Sequence, residues 1–541
     1  MPSLPPELIS AQDDSNENPL KQLVAEIDEF GCGEWTVLYN NDIKGNRFSY
    51  SALLSSAQIT KALQKTEWDL SIGDGVPQLD ISEKLSTYKR FGVNEIEPLL
   101  HVRYFNEIKP EQLDLSEEFR LFHNLYHDRR NDRFIHVDNC GNEVVVSEIY
   151  SNCARVLTRF LHKYLEARQA TLVLFFDHYK ACPNSDLSKL GIPLSEYIIT
   201  DDRCYLIYNG VFEEKAFLRL IGKKIISPEA MEHDDSNQEK KKYMDFIIGV
   251  DKRGNPLEHN CNPEGLANFF GANEHAPNYL TPVWFKRNVL SKYYSEPNKF
   301  SVGDGYISCG YLWSITIDNN LSEHIAVYLG DLGSYLHYEE QKHWKQFNIT
   351  PAEPNTSKTN FRRSFDAKPT DPSEPDLLFK QRYDQLNKLW PEKFGWRLFL
   401  PLHKDDAHIF KQFRVQLVSE NRGEFDEQVL FLAKLVIDSL NEDKLKTSLS
   451  SLNIEVKEDE KGITKFEKYL TANQYTNVKR DIGALRNLQS LRNGSAHRKG
   501  TQYDKKLSKV NDDHSSLPQI FRKHLSSIND MLCDLLNYSS D

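Results

Sequence analysis

An arginine and a histidine five positions apart, Arg492 and His497, sit in the stretch LRNLQSLRNGSAHRKG (485–500), with Asn493 directly after the arginine. These are the parts that metal-free cleavage of RNA requires. A neutral imidazole, with an ordinary pKa of about 6.5, takes the proton from a ribose 2′-OH near neutral pH. A guanidinium stabilises the charge that grows on the in-line phosphorane, and its planar five-donor fork suits that task. A polar neighbour such as Asn493 orients either group or holds the scissile phosphate. DNA has no 2′-OH and could not react this way. Arg486, Arg498 and Lys499 offer phosphate contacts around the pair. From Val478 to Lys509 nine Lys/Arg stand against two Asp, a local +7 that leaves −19 for the rest of a chain of net charge −12. A basic island in an acidic protein points to a polyanion site.

The spacing adds a constraint. At about 100° per residue, a straight helix would hold Arg492 and His497 about 140° apart, off any shared face. One way out is a break at Gly494-Ser495, since Gly costs up to about 1 kcal/mol against Ala in a helix. Another is a symmetric dimer in which each copy of the motif supplies one group. The plainer alternative is a helix C-cap followed by an N-cap at Gly494-Ser495, with Arg498 and Lys499 merely solvated.

Other candidates are weaker. His123 and His127 in FRLFHNLYHDRR (119–130) have the i, i+4 spacing of zinc ligands on one helix face, with His136 further on. Phe119, Phe122 and Tyr126 form an apolar stripe there and no Glu follows the first His. The reading is therefore core-edge histidines and no metal. His259-Asn260-Cys261-Asn262 reads as a loop, and SIGDGV (71–76) and VGDG (302–305) as turns. No Walker, Rossmann or G-x-S-x-G pattern occurs, so nothing supports an ATPase, a dinucleotide enzyme or a serine hydrolase, and no cofactor is expected.

The elements that must position these groups follow from length and periodicity. A chain of 541 residues is too long for one core and predicts two to four domains. Its eight cysteines are scattered without a C-x-x-C pair, which reads as buried thiols in a reducing compartment. No run of about eighteen apolar residues occurs and the N-terminus has no signal-peptide pattern, so the expectation is a soluble, cytoplasmic protein without membrane contact. Residues 1–20 read as a flexible tail. Residues 21–230 read as an α+β domain, with strands at Glu34–Tyr39 and His101–Phe105 and a hairpin from Phe134 to Val146. A helix over Asn152–Ala170 and a buried strand at Thr171–Asp177 follow, then strands at Tyr197–Thr200 and Cys204–Tyr208. Residues 231–242 form a charged linker. A β-leaning region spans 243–350, with a helix predicted over Thr281–Tyr294.

Residues 351–376 are a Pro-rich linker expected not to bury enough apolar surface to order itself, and 377–421 connect it to the rest. Residues 422–541 are helical, with stripes over Phe425–Leu440, Ile463–Leu470, Val478–Leu491 and a last helix capped at Ser515 or Ser516. The fold class expected is thus multidomain α+β: β-leaning mixed N-terminal and central regions, then a C-terminal all-α helical bundle.

That C-terminal part, under a quarter of the chain, resembles a HEPN domain. The family's signature is Arg, commonly followed by Asn, Asp or His, then His after four to six intervening residues. Arg492-Asn493-Gly494-Ser495-Ala496-His497 matches it within a helical region. The resemblance implies a metal-independent endoribonuclease acting at a composite site of a homodimer formed through the C-terminal helical domain. His497 would be general base or acid, Arg492 the transition-state stabiliser and Asn493 the orienting residue. It also implies a regulated toxin or anti-phage defence effector, with RNA as partner and a phage-derived trigger or inhibitory partner acting through the upstream domain. The alternative is a non-catalytic RNA-binding or dimerisation module attached to an upstream sensor domain.

Overall fold

Runs of β-branched and aromatic residues organise the N-terminal part. TLVLFFDHYKAC forms the strand Thr171–Cys182, buried on both faces from Leu172 to Phe176, as a central strand must be. It pairs with Arg47–Leu54 on one side and Lys215–Ile226 on the other. The sheet extends to ten strands, all neighbours antiparallel. Beyond Lys215–Ile226 lie Arg203–Phe212 and the edge strand Ser195–Ile199. Beyond Arg47–Leu54 lie Trp35–Asp42, Cys153–Leu157, Glu143–Ile149, Arg133–Val137 and the opposite edge, Tyr126–Asp128.

The computed structural model describes residues 18–42, 45–64, 77–82, 85–91, 96–106, 108–182, 187–212, 215–228, 241–350, 355–364, 366, 368–415, 422–495 and 516–538. The chain divides into two compact units, Met1–Gln238 and Glu239–Asp541. Its class is mixed α+β, with the large antiparallel sheet in the first unit and many helices in the C-terminal region.

In the first unit, consecutive lysines on one strand tie down two helices. Side chains alternate faces along a strand. Lys224 Nζ donates to the carbonyls of Ile27, Asp28 and Phe30 at 3.1, 2.9 and 2.8 Å, at the end of the helix Pro19–Asp28. Lys223 Nζ donates to Ala62 at 3.0 Å, near the end of the helix Ser56–Leu63. Each cation meets the negative end of a helix. The predicted hairpin is present. Arg133–Val137 pairs with Glu143–Ile149, Gly141 turns at φ 74°, and the Asp138 carboxylate accepts from the Cys140 and Asn142 N–H groups.

The predicted helix over Asn152–Ala170 is only half right. Cys153–Leu157 is a strand with every residue buried, and the helix is Thr158–Arg168. The helical spacing of Val156, Phe160, Leu161 and Leu165 runs across that junction. Likewise, the helix predicted over Thr281–Tyr294 begins as a strand and turns helical only from Arg287, through a 3₁₀ turn at Arg287–Leu290. Pro282–Lys286 lies between His324–Tyr328 and Asn348–Ile349, and only Ser291–Ser295 is α-helical. Val283, Trp284 and Phe285 are all buried, and Pro282 takes the first strand position, where a missing N–H is tolerated.

The described part of the Pro-rich stretch is held by polar contacts rather than apolar burial. Ser357 donates to both oxygens of Asp318 at 2.7 Å, Arg363 pairs with Asp304 at 2.7 Å, and Ser373 N–H donates to Asn320 at 2.7 Å. The helical region then runs through Pro375–Phe394, Arg422–Ala433, Glu442–Ser451, Gly462–Ala472, Val478–Ser495 and Leu517–Asn537. These helices share one core, with Trp390, Leu432, Phe466, Leu485 and Phe521 within it. Ser516 caps the last helix, its N–H donating to the Gln519 side chain at 2.9 Å, and Pro518 lies in the first turn. All eight cysteines are free thiols, five of them buried. Among the described residues no helix is long and apolar enough to cross a membrane.

Candidate functional site

Helix Val478–Ser495 presents the described half of the Arg-x-x-x-x-His motif. Ile482, Leu485, Leu488 and Leu491 recur every three residues and are buried in the helical core, which fixes the rotation of the helix. Arg492, next to the last of them, comes out at the core's margin, and Asn493 is exposed. The helix continues through Gly494 to Ser495, so no break precedes that point. His497, Arg498 and Lys499 lie outside the described residues.

Arg492 has an acidic partner that the motif did not signal. Its Nη1 donates to Asp438 Oδ1 at 2.5 Å, with about a third of each side chain exposed (33% and 39%). Asp438 ends Lys434–Asp438, where the helix Arg422–Ala433 widens into a π turn. Such turns re-aim side chains and are frequent at functional sites. One helical repeat before Asp438, Lys434 Nζ donates to Asp406 Oδ1 at 2.8 Å, so two ion pairs follow each other along this segment.

The other described arginines of the island are paired too. Arg486 contacts Glu467 at 2.5 Å. Arg480 contacts both Asp481, at 2.7 Å, and Asp534, at 2.5 Å. Asp481 is fully buried and also accepts from the Tyr475 hydroxyl at 2.5 Å. Burial pushes its carboxyl pKa up, against the opposing pull of the Tyr475 and Arg480 hydrogen bonds. The +7 counted from sequence is therefore answered, over its described part, by Asp438, Glu467 and Asp534 from other helices. These acids lie 54, 19 and 54 residues from their partners, so no local pattern announced them.

The paired-histidine candidate separates on folding. His123 follows the helix Glu117–Phe122, while His127 lies on the strand Tyr126–Asp128, so they share no helix face. His123 Nε2 bonds the Phe160 carbonyl at 2.9 Å amid Phe119, Phe122 and Phe160 rings, and burial pulls its pKa down to about 4. His127 pairs with Asp132 at 3.2 Å, and His136 Nδ1 bonds the His123 carbonyl at 2.9 Å. His259 bonds the Asn260 carbonyl within the strand Pro256–Asn260. Among the described residues no group of three or more His, Cys, Asp or Glu is arranged to hold a metal ion. Compared with known proteins, the chain matches no family model, no curated protein and no solved structure.

Proposed function

We propose that the chain is a metal-independent endoribonuclease of HEPN type, acting on RNA at a composite site of a homodimer formed through the C-terminal helices. Arg492 stabilises the phosphorane, His497 serves as general base or acid, Asn493 orients the scissile phosphate, and Arg486, Arg498 and Lys499 hold flanking phosphates. The observation that carries the reading is the placement of Arg492 and Asn493. They sit at the surface end of a helix locked by its buried leucines, with Asp438 holding the guanidinium in one direction. Preorganisation of that kind is what charge stabilisation in a transition state needs. A regulated toxin or anti-phage effector is the setting proposed, with the upstream unit answering a phage-derived trigger or an inhibitory partner.

The ion pairing of Arg480, Arg486 and Arg492 favours a second reading, a module that docks RNA or dimerises without turnover. One experiment separates the two. The purified chain is incubated with RNA in EDTA, beside Arg492→Ala and His497→Ala. A nuclease leaves 2′,3′-cyclic phosphate ends, and each substitution lowers the rate about 10²-fold or more. Cleavage that both variants retain ends the proposal; binding without cleavage supports the docking module.

A further inference from the structure

The first unit contains a cleft of about 280 Å³, just under the ~300 Å³ at which ordinary ligand pockets begin. The strand Gln112–Leu115 forms one wall, and Arg120, His127, Asp132 and Phe134 lie on others. Three of the charged groups around it are already answered. Asp114 is paired with Arg103 at 2.5 Å, and Asp132 with His127 at 3.2 Å. Arg120 is different. Its Nε is buried without a hydrogen-bond partner, and its guanidinium has no carboxylate partner among the described residues. What it does have is a platform: its Cζ lies 5.4 Å from the Phe134 ring centroid, and His127 stacks on the same ring at 4.4 Å.

A buried Nε–H without an acceptor is costly, because folding has removed its water without supplying a replacement, while the rest of the half-buried side chain faces the cleft. Such a group calls for an explanation, and a planar fork with open donors is the residue of choice for carboxylates and phosphates. Glu111 in the same lining has no basic partner among the described residues, which opposes a compact dianion and favours a ligand that also brings a hydrogen-bond donor. We propose that this cleft binds a small organic anion, a carboxylate or phosphomonoester bearing a donor group, with Arg120 as its anchor. The site lies in the first unit and stands apart from the ribonuclease reading.

The test is calorimetric titration of the full chain with four probes: glutamate, AMP, acetate and inorganic phosphate. Glutamate and AMP carry both an anion and a donor, and separate the carboxylate source from the phosphate source. The expected result is binding of one of these two, with acetate and inorganic phosphate weaker. Arg120→Met should lower that affinity about tenfold or more, the worth of one charge-assisted contact. The variant's Tm should be no lower than wild type, because the buried, unpartnered Nε–H is gone. Should Arg120→Met fail to fold, Ser151→Phe blocks the cleft from an exposed lining position and is expected to abolish binding equally. No heat with glutamate or AMP at about 10 mM, well above millimolar affinity, overturns the proposal. So does binding that both variants leave unchanged.

Discussion

Asp438 has two consequences for Arg492 that pull in opposite directions. Its carboxylate holds the guanidinium at 2.5 Å, and it also puts a negative charge where an RNA phosphate would approach. With both side chains about a third exposed, solvent screens the pair and its share of stability is about 1 kcal/mol or less. The repulsion of a phosphate is of similar size, ~0.5–1 kcal/mol for screened like charges a few ångströms apart, and it acts directly on binding. Asp438→Asn removes the charge and keeps an acceptor for Arg492. The expected outcome is an urea midpoint close to wild type with RNA binding tightened about two- to fivefold, read by equilibrium binding in a His497→Ala background. Unchanged or weaker binding would mean that Arg492 does not meet phosphate.

At the scale of elements, two glycines separate packing from propensity. Gly222 lies in the strand Lys215–Ile226, opposite Tyr205 and Phe176. A Cβ there would sit 2.1 Å from the Cys204 carbonyl oxygen and 2.6 Å from Tyr205 Cα, both backbone atoms that cannot swing aside. Gly222→Ala is expected to cost about 3 kcal/mol or more, by forcing two central strands apart. Gly483, inside the helix that carries Arg492, has nothing within 4 Å of a built Cβ. Gly483→Ala is expected to stabilise by about 0.5–1 kcal/mol, through a less flexible unfolded chain and better helix propensity. Urea denaturation of both variants checks the pair, and a sign reversal in either would refute the packing argument. The contrast also shows what a sequence can and cannot disclose. Strongly periodic helices such as Val478–Ser495 and Leu517–Asn537 were legible, as was the hairpin around Gly141, because their signals are local. Pro375–Phe394 was missed beneath the prolines at both its ends, although Phe379, Tyr383, Leu386 and Trp390 keep a helical stripe. Cys153–Leu157 and Pro282–Lys286 were misread because a strand buried on both faces loses its alternation. For the candidate site, Arg492 and Asn493 were legible as a motif, whereas Asp438 entered only through the tertiary packing of a π turn.

Over the whole molecule, burial of histidines sets a response to acid. In the first unit His101, His123 and His178 all have their pKa lowered by burial, His123 to about 4. In the second unit His343 and His524 are lowered by the same cause. A lowered pKa means that the folded chain binds the proton less readily than the unfolded chain, whose histidines titrate near 6.5. The stability that neutral histidines confer is therefore complete above pH 6.5 and declines as pH falls toward 4. Glu26 acts in a lower window. Burial pushes its pKa up, but the bonds from His178 and Arg47 outweigh that and hold it at about 2, so its contribution is lost only below 4.5. Between pH 6.5 and 4.5 the histidines dominate, and the first unit, with three of the five, is expected to weaken more. Five of the seven tryptophans and most of the helix lie beyond residue 280, so fluorescence and far-UV circular dichroism both report mainly on the second unit. Pulse proteolysis in urea, with a protease active at each pH and fragments assigned by mass, reads each unit by itself, and at pH 4.5 against pH 7.5 it should show the first unit's midpoint falling further than the second's. Unit midpoints that fall equally, or that do not move from pH 7.5, would show that burial of these imidazoles does not govern the acid response.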